Sequence, residues 1–215
     1  MTYPCGKIYA DVEQGTAEWF AIKCGKVSAS KIANIMAKLK GGGEAASVKN
    51  YRTQILCERL TGTVEESYCN GAMQRGIELE PMARECYEFI KGVTVEQVAF
   101  VDHPWIEMSG ASPDGMVNFD GNVEIKCPNT ATHIEYLLGK VPPAQYIPQM
   151  QWQMACTGRV WCDFVSYDNR LPEDMQLFIV RLNRDDAMIA EMEKAVIEFN
   201  ASVVKIISDL KALRP

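Results

Sequence analysis

The sequence predicts an α/β protein, and three observations lead there. Runs rich in Val, Ile, Phe and Trp alternate along the chain with longer stretches of helical periodicity. An Asp-Gly step at 120–121, followed by Asn122, joins two apolar runs as a hairpin. From Arg184 to about Leu213, Ile189, Met192, Val196, Phe199, Val203 and Ile206 form one side of a long amphipathic helix. With 215 residues and no internal repeat, low-complexity segment or linker, the chain reads as one domain, 1–215, with room for a substantial core.

The elements follow in order. Gly25 stops the segment that begins at Glu18, and Ser28 is placed to cap a helix over Ala29–Lys38, with Ile32, Ile35 and Leu39 as its apolar stripe. Ser30 then lies in a first turn whose free N–H groups favour an anion, with Lys23, Lys26 and Lys31 around it. It reads equally well as a second capping hydroxyl. Gly41–Gly43 breaks the chain into a loop. Ser47 caps a helix from Val48 to Leu60 with Ile55, Leu56 and Leu60 inward, closed by Thr61-Gly62. Ala72 to Lys91 is a long helix ending at Gly92, and Pro81 should start or kink a helix within it. Val93–Val101 alternates as a strand, and Met108–Ser112 continues the sheet. Thr130 caps a helix to Leu138, Pro142-Pro143 breaks it, and Ala144–Cys156 forms another helix with Pro148 in its first turn. Arg159–Tyr167 and Met175–Leu182 are the last two strands.

Composition removes several function classes. Hydrophobic residues make up 47% and charged residues 23%, which is the balance of a folded soluble protein. No apolar run approaches membrane-spanning length, and MTYPCGKIYADVEQ lacks a signal-peptide core, so a cytoplasmic location is the expectation. The eight cysteines, at 5, 24, 57, 69, 86, 127, 156 and 162, contain no CxxC pair; a standard zinc site is excluded and buried, reduced thiols are expected. The net charge of −6 argues against nucleic acid as a partner, although a local basic channel can coexist with an acidic exterior.

The chemistry gathers in SPDGMVNFDGNVEIKC, residues 112–127. On a strand over Val123–Cys127, Glu124 and Lys126 share one face while Val123, Ile125 and Cys127 take the other. Folding the hairpin back brings Asp114 near Glu124. Two carboxylates suit a hard divalent cation such as Mg²⁺, which keeps several waters, and the lysine leaves a positive charge beside it. That is the equipment of metal-assisted phosphodiester hydrolysis. The same residues would also suit an ordinary solvent-facing hairpin, and these positions alone leave both readings open.

The wider pattern resolves more. EWFAIKCGKVSAS, RGIELEPMAREC, SGASPDG, VEIKCP, QYIPQMQWQM and VWCDFVSYD occur in this order between about Glu18 and Leu210. In that order they resemble the lambda-exonuclease family of phage recombination nucleases (alkaline exonucleases), within the PD-(D/E)xK superfamily. The resemblance implies a restriction-endonuclease-like core, a central mixed β-sheet flanked by α-helices. It implies Asp114, Glu124 and the backbone carbonyl of Ile125 as Mg²⁺ ligands, with Mn²⁺ as a substitute and Glu80 serving a second metal or its water. Lys126 would act beside the attacking water, and Gln149 would orient that water or the lysine. Lys23, Ser30 and Ser112 fall where the family holds a 5′-phosphate. Arginine is typical at the position of Lys23, so a point charge replaces a two-pronged contact here and the preference for phosphorylated ends should be weaker. Trp19 and Tyr146 match DNA-contacting positions, and both suit a core equally well.

The activity so implied is 5′-to-3′ digestion of duplex DNA ends to mononucleotides, leaving a 3′ single strand. A ring-shaped homotrimer and a single-strand annealing protein as partner come with it. Alternatives within the superfamily are an endonuclease or an iron–sulfur nuclease. The latter is disfavoured because no cysteine follows Cys162. A catalytically silent DNA-end-binding module is disfavoured because Asp114, Glu124, Lys126 and Gln149 are all present.

Overall fold

In the computed structural model, residues 2–37, 43–64 and 71–213 are described. Two mixed sheets flanked by helices make up the architecture. The larger has five strands in the order β3 (Val95–Glu96), β6 (Gly115–Val117), β7 (Gly121–Lys126), β8 (Trp161–Tyr167) and β9 (Leu177–Asn183). Its neighbours run antiparallel except β7 and β8, which are parallel. A parallel pair needs a crossover, and α5 (Thr130–Gly139) and α6 (Ile147–Thr157) supply it. The smaller sheet has the order β1 (Ile8–Tyr9), β4 (Phe100–Asp102), β5 (Ser109–Ala111) and β2 (Val27–Ser28), with β2 parallel to β5.

The expected strand over Val93–Val101 is thus divided between the two sheets, and Met108–Ser112 belongs to the smaller one. Gly110 explains part of that geometry: a Cβ there would lie 2.2 Å from the Phe100 ring on the neighbouring strand. Both β1 and β2 are two residues long, too short to carry any periodicity.

Several helix expectations need correction. Ser28 makes no side-chain cap; a 3₁₀ turn, Ala29–Lys31, leads into the short α2 (Ile32–Met36), and Leu39 and Gly41-Gly42 lie outside the described residues. The next helix, α3 (Ala46–Thr61), has Ala45 rather than Ser47 at its N-cap, and the Ser47 hydroxyl donates to the Asn34 carbonyl; Leu60 is half exposed, while Tyr51 and Ile55 are buried. Pro81 lies inside α4 (Gly71–Lys91), which runs on through it. Asn129, not Thr130, caps α5 by accepting from the Thr132 amide. The final helix, α7 (Asp186–Ala212), is as expected and buries Ile189, Met192, Val196, Phe199 and Val203.

The core has three parts, and α6 contributes to two of them. Trp152, Ala155 and Cys156 on α6 pack with Val27, Ile32, Tyr51, Ile55 and the apolar face of α7. Met150 and Met154 meet Cys162 and Phe164 on one face of the large sheet. On its other face, Ala83 and Tyr87 of α4 cover Val95, Val117, Val123, Ile125 and Val165. Every residue of α6 from Met150 to Thr157 is buried, which makes this helix the pillar against which β7 is set. Among the described residues the cysteines are free, and only Cys156 and Cys162 are fully buried; Cys5 and Cys57 are exposed, and Cys69 lies outside the described residues. Among the described residues no helix is long and apolar enough to cross a membrane.

Candidate active site

Register in the β6–β7 hairpin builds the centre of the site. Gly115 pairs with Val123 and Val117 with Gly121, so the turn is Asn118–Asp120 rather than one centred on 120–121, and Asn118 takes the left-handed φ of 51°. Gly121 is already a strand residue pressed against the Trp161 ring, where a Cβ would come within 2.1 Å. This register carries Asp114 across to the C-terminal half of β7. Its Oδ2 accepts the Ile125 amide at 2.6 Å.

Alternation along β7 then separates the faces. Val123 and Ile125 enter the α4 core, while Glu124, paired with Phe164 on β8, faces α6. Glu124 is fully buried, which removes the reading of a solvent-facing hairpin. A buried carboxylate needs partners, and Glu124 has three. Its Oε1 accepts from Gln149 Nε2 at 2.6 Å and pairs with the Lys126 ammonium, while its Oε2 accepts from Gln153 Nε2 at 2.5 Å. Lys126 Nζ also lies 3.9 Å from Asp114 Oδ2. Gln149, Gln153 and Thr157 recur every four residues, so they form one stripe of α6, and Thr157 accepts from Asn122 two positions before Glu124. Helix period and strand period match along this seam.

Electrostatics at the centre are those of crowded carboxylates. Burial pushes Asp114 well above the usual carboxylate range, Glu124 pushes the same way, and Lys126 only partly offsets them. Burial alone would depress Lys126, but Glu124 and Asp114 outweigh it and hold the ammonium well above its ordinary value. Glu80, on α4, is raised by burial and by Glu124, while Arg84, 3.4 Å away, and Lys126 draw it down. Among the described residues, no three His, Cys, Asp or Glu side chains are near enough to enclose a metal by themselves. Two oxygen-donor carboxylates that repel each other in a buried setting nonetheless fit a hard divalent cation that completes its shell with water. Asp114 and Glu124 could hold one, with Glu80 within electrostatic reach.

The remaining expected residues fall into two groups. Trp19 Nε1 donates to Ser112 Oγ at 3.0 Å and to the Ala99 carbonyl at 2.9 Å, and Ser112 Oγ itself donates to that carbonyl at 2.7 Å. Lys23 Nζ lies over the Trp19 ring, 3.8 Å from its centroid, and burial lowers its pKa, as does Lys31. Trp19, Lys23 and Ser112 are therefore one cluster. Together with Glu80, Ile77 and Arg84, Trp19 and Lys23 line a cleft of about 860 Å³. Ser30 stands apart: its Oγ is 3.4 Å from Ser28 Oγ, and among the described residues no hydrogen bond joins it to Lys23 or Ser112. Lys26, expected near the same anion, is instead paired with Asp102 at 2.5 Å. Tyr146 stacks on Phe164, with Lys126 Nζ 5.5 Å from its ring, so it borders the centre.

Gln153 is the site residue that sequence reasoning did not assign. Its four-residue offset sets it on the same side of the helix as Gln149, and nothing local to the sequence says that this side meets Glu124.

A family model described as the YqaJ-like viral recombinase domain matches residues 18–160. Among solved structures, an alkaline exonuclease (LHK-Exo) from Laribacter hongkongensis is 54% identical, with a TM-score of 0.86, covering 92% of this chain and 97% of that one. The same enzyme in complex with dAMP matches at 55% identity, with the same TM-score and coverage. A phage related exonuclease from Haemophilus somnus 129PT, 19% identical with a TM-score of 0.69 and covering 86% of this chain and 96% of its own, shares the fold. None of the curated protein sequences matches significantly. The family match covers well over half of the chain and the first relative nearly all of it, so the chain belongs to the YqaJ-like viral recombinase family, lambda-exonuclease type.

Proposed function

We infer that this protein is a Mg²⁺-dependent 5′-to-3′ exonuclease that digests the 5′-ended strand of duplex DNA to mononucleotides and leaves a 3′ single strand for recombination by annealing. The observation that carries the reading is the fully buried Glu124 beside the partly buried Asp114, with the Lys126 ammonium against both. Such an arrangement is costly to bury and has a use only where a cation and a developing negative charge meet. The dAMP-bound relative supports the product class.

In this mechanism Asp114, Glu124 and the Ile125 carbonyl would hold the metal, and Glu80 would hold a second one or its water. When bound, Mg²⁺ supplies Lewis acidity and an activated water next to the scissile phosphate. Gln149 keeps the Glu124 carboxylate turned toward the centre. Lys126, held protonated by its two carboxylates, stabilises charge that appears on the phosphoryl oxygens in the transition state. Lys23, Ser112 and Ser30 receive the 5′-phosphate, and Trp19 and Tyr146 contact the DNA. Ser112 would have to release the Ala99 carbonyl to donate to a phosphate. A homotrimer encircling the duplex would account for processivity, and a single-strand annealing protein would take the product strand.

The test is digestion of linear duplex labelled at the 5′ or the 3′ terminus, with Mg²⁺ or EDTA, beside a covalently closed circle. Mg²⁺-dependent release of 5′ label as mononucleotide with an intact circle is expected. Cut circles would instead indicate an endonuclease, and tight end binding without cleavage a silent module.

A further inference from the structure

We propose that Gln153 is a positioning residue that sets metal affinity by fixing the rotation of the Glu124 carboxylate. The inference rests on the metal-dependent reading above and deepens it. Gln153 is fully buried and its Nε2 donates to Glu124 Oε2 at 2.5 Å. A carboxylate can only accept here, so the chemistry itself orients the amide. On the far side of that amide, among the described residues, Oε1 meets the weak Cys162 Sγ donor at 3.8 Å. Its neighbours on α6 are Met150 and Met154, both fully buried. A third methionine would fill such a place without burying an amide, so the packing does not require a glutamine; Glu124 does.

The two glutamines divide the carboxylate between them. Gln153 ties Oε2 from deeper along the helix, while Oε1, shared by Gln149 and Lys126, is left on the side where the lysine is partly exposed. One oxygen is thereby presented to the cation and the other is held back. Without Gln153 only the contacts to Oε1 remain to set the rotation of the carboxyl, and the cation meets a less fixed ligand. Partners of this kind beyond the ligands themselves change metal affinity or activity by roughly 10–100-fold.

The experiment compares full-length wild type with Gln153→Met, Gln153→Asn and, as a control, Thr157→Val. The control removes the Thr157 hydroxyl, which accepts from Asn122 and donates to the Gln153 main-chain carbonyl, without touching Glu124 or the Gln153 side-chain amide. Two quantities are read: the Mg²⁺ concentration for half-maximal digestion, and the rise in Tm that Mg²⁺ produces in the absence of DNA. Both Gln153 variants should need about tenfold more Mg²⁺ and gain less Tm from it. Thr157→Val should lower the metal-free Tm and leave the Mg²⁺ midpoint in place. Should Gln153→Met fail to fold, Gln153→Asn, which keeps the amide but shortens its reach, carries the comparison. A responsive wild type beside unshifted Gln153 variants overturns this inference alone. A wild type that neither digests DNA nor responds to Mg²⁺ overturns the nuclease reading and this inference with it.

Discussion

Lys126 shows how a single side chain takes its character from its neighbours. Burial argues for a neutral amine, and two carboxylates argue for an ammonium; the carboxylates win. If its task is to supply charge, Lys126→Arg should keep measurable single-turnover digestion, while Lys126→Ala should lose about 10²–10³-fold. Equal loss in the two variants would instead assign it the role of a base. Asp114→Ala should abolish digestion in the same assay with end binding retained. For the 5′ end, Lys23→Ala combined with Ser112→Ala should reduce the rate advantage of phosphorylated over hydroxyl termini. An unchanged ratio would place the phosphate elsewhere, since these two residues meet across Trp19.

At the level of elements, short polar clamps join pieces that lack long hydrogen-bond ladders. Asp168, just past β8, is fully buried and accepts from Arg75 at the start of α4, from Arg170 and from Thr130 at the start of α5. Arg75 also reaches the carbonyl of Pro128, two residues past the end of β7. Burial would raise Asp168, but the hydrogen bonds from Arg170 and Thr130 prevail and hold it well below the usual carboxylate range. Because its pKa is depressed on folding, Asp168 contributes stability above its unfolded value near pH 4, and that stability fades as pH falls further. Asp168→Asn should therefore lower Tm by about 5 °C at pH 7, with the gap to wild type narrowing below about pH 4. A gap that stayed constant with pH would show that charge is not what the clamp uses. Gly25 is a second such joint. It adopts φ 69°, donates its amide to Glu58 Oε2 at 2.8 Å, and faces Arg59 Cγ, which a Cβ would approach to 2.6 Å. Gly25→Ala should cost about 1–3 kcal/mol, measured by denaturant unfolding.

For the whole molecule, the expected ring is the testable statement. Light scattering should report a mass three times that of the 24.1 kDa chain. Processive digestion by a species of monomer mass would remove the ring as the explanation. The net charge of −6 makes the point sharper, because a duplex must be gripped by a surface that the average charge opposes.

Much of the large sheet and of the centre was legible in the sequence. The hairpin, the shared face of Glu124 and Lys126, the return of Asp114 and the stripe of α7 all follow from periods of 2 and 3.6 and from one turn signal, which are local properties of the chain. The depth of the site was not legible. Whether Glu124 faces water or a helix depends on α6 being laid along β7, and a strand pattern alone cannot say what covers it. The second sheet escaped because β1 and β2, two residues each, are defined only by the strands they pair with. Helical spacing sets Gln153 beside Gln149, but only the packing of α6 shows that both meet Glu124 while Gln151 turns toward the Asn183 carbonyl. Local pattern determined which residues share a face; tertiary packing decided which face is buried, and with it which polar groups must find one another.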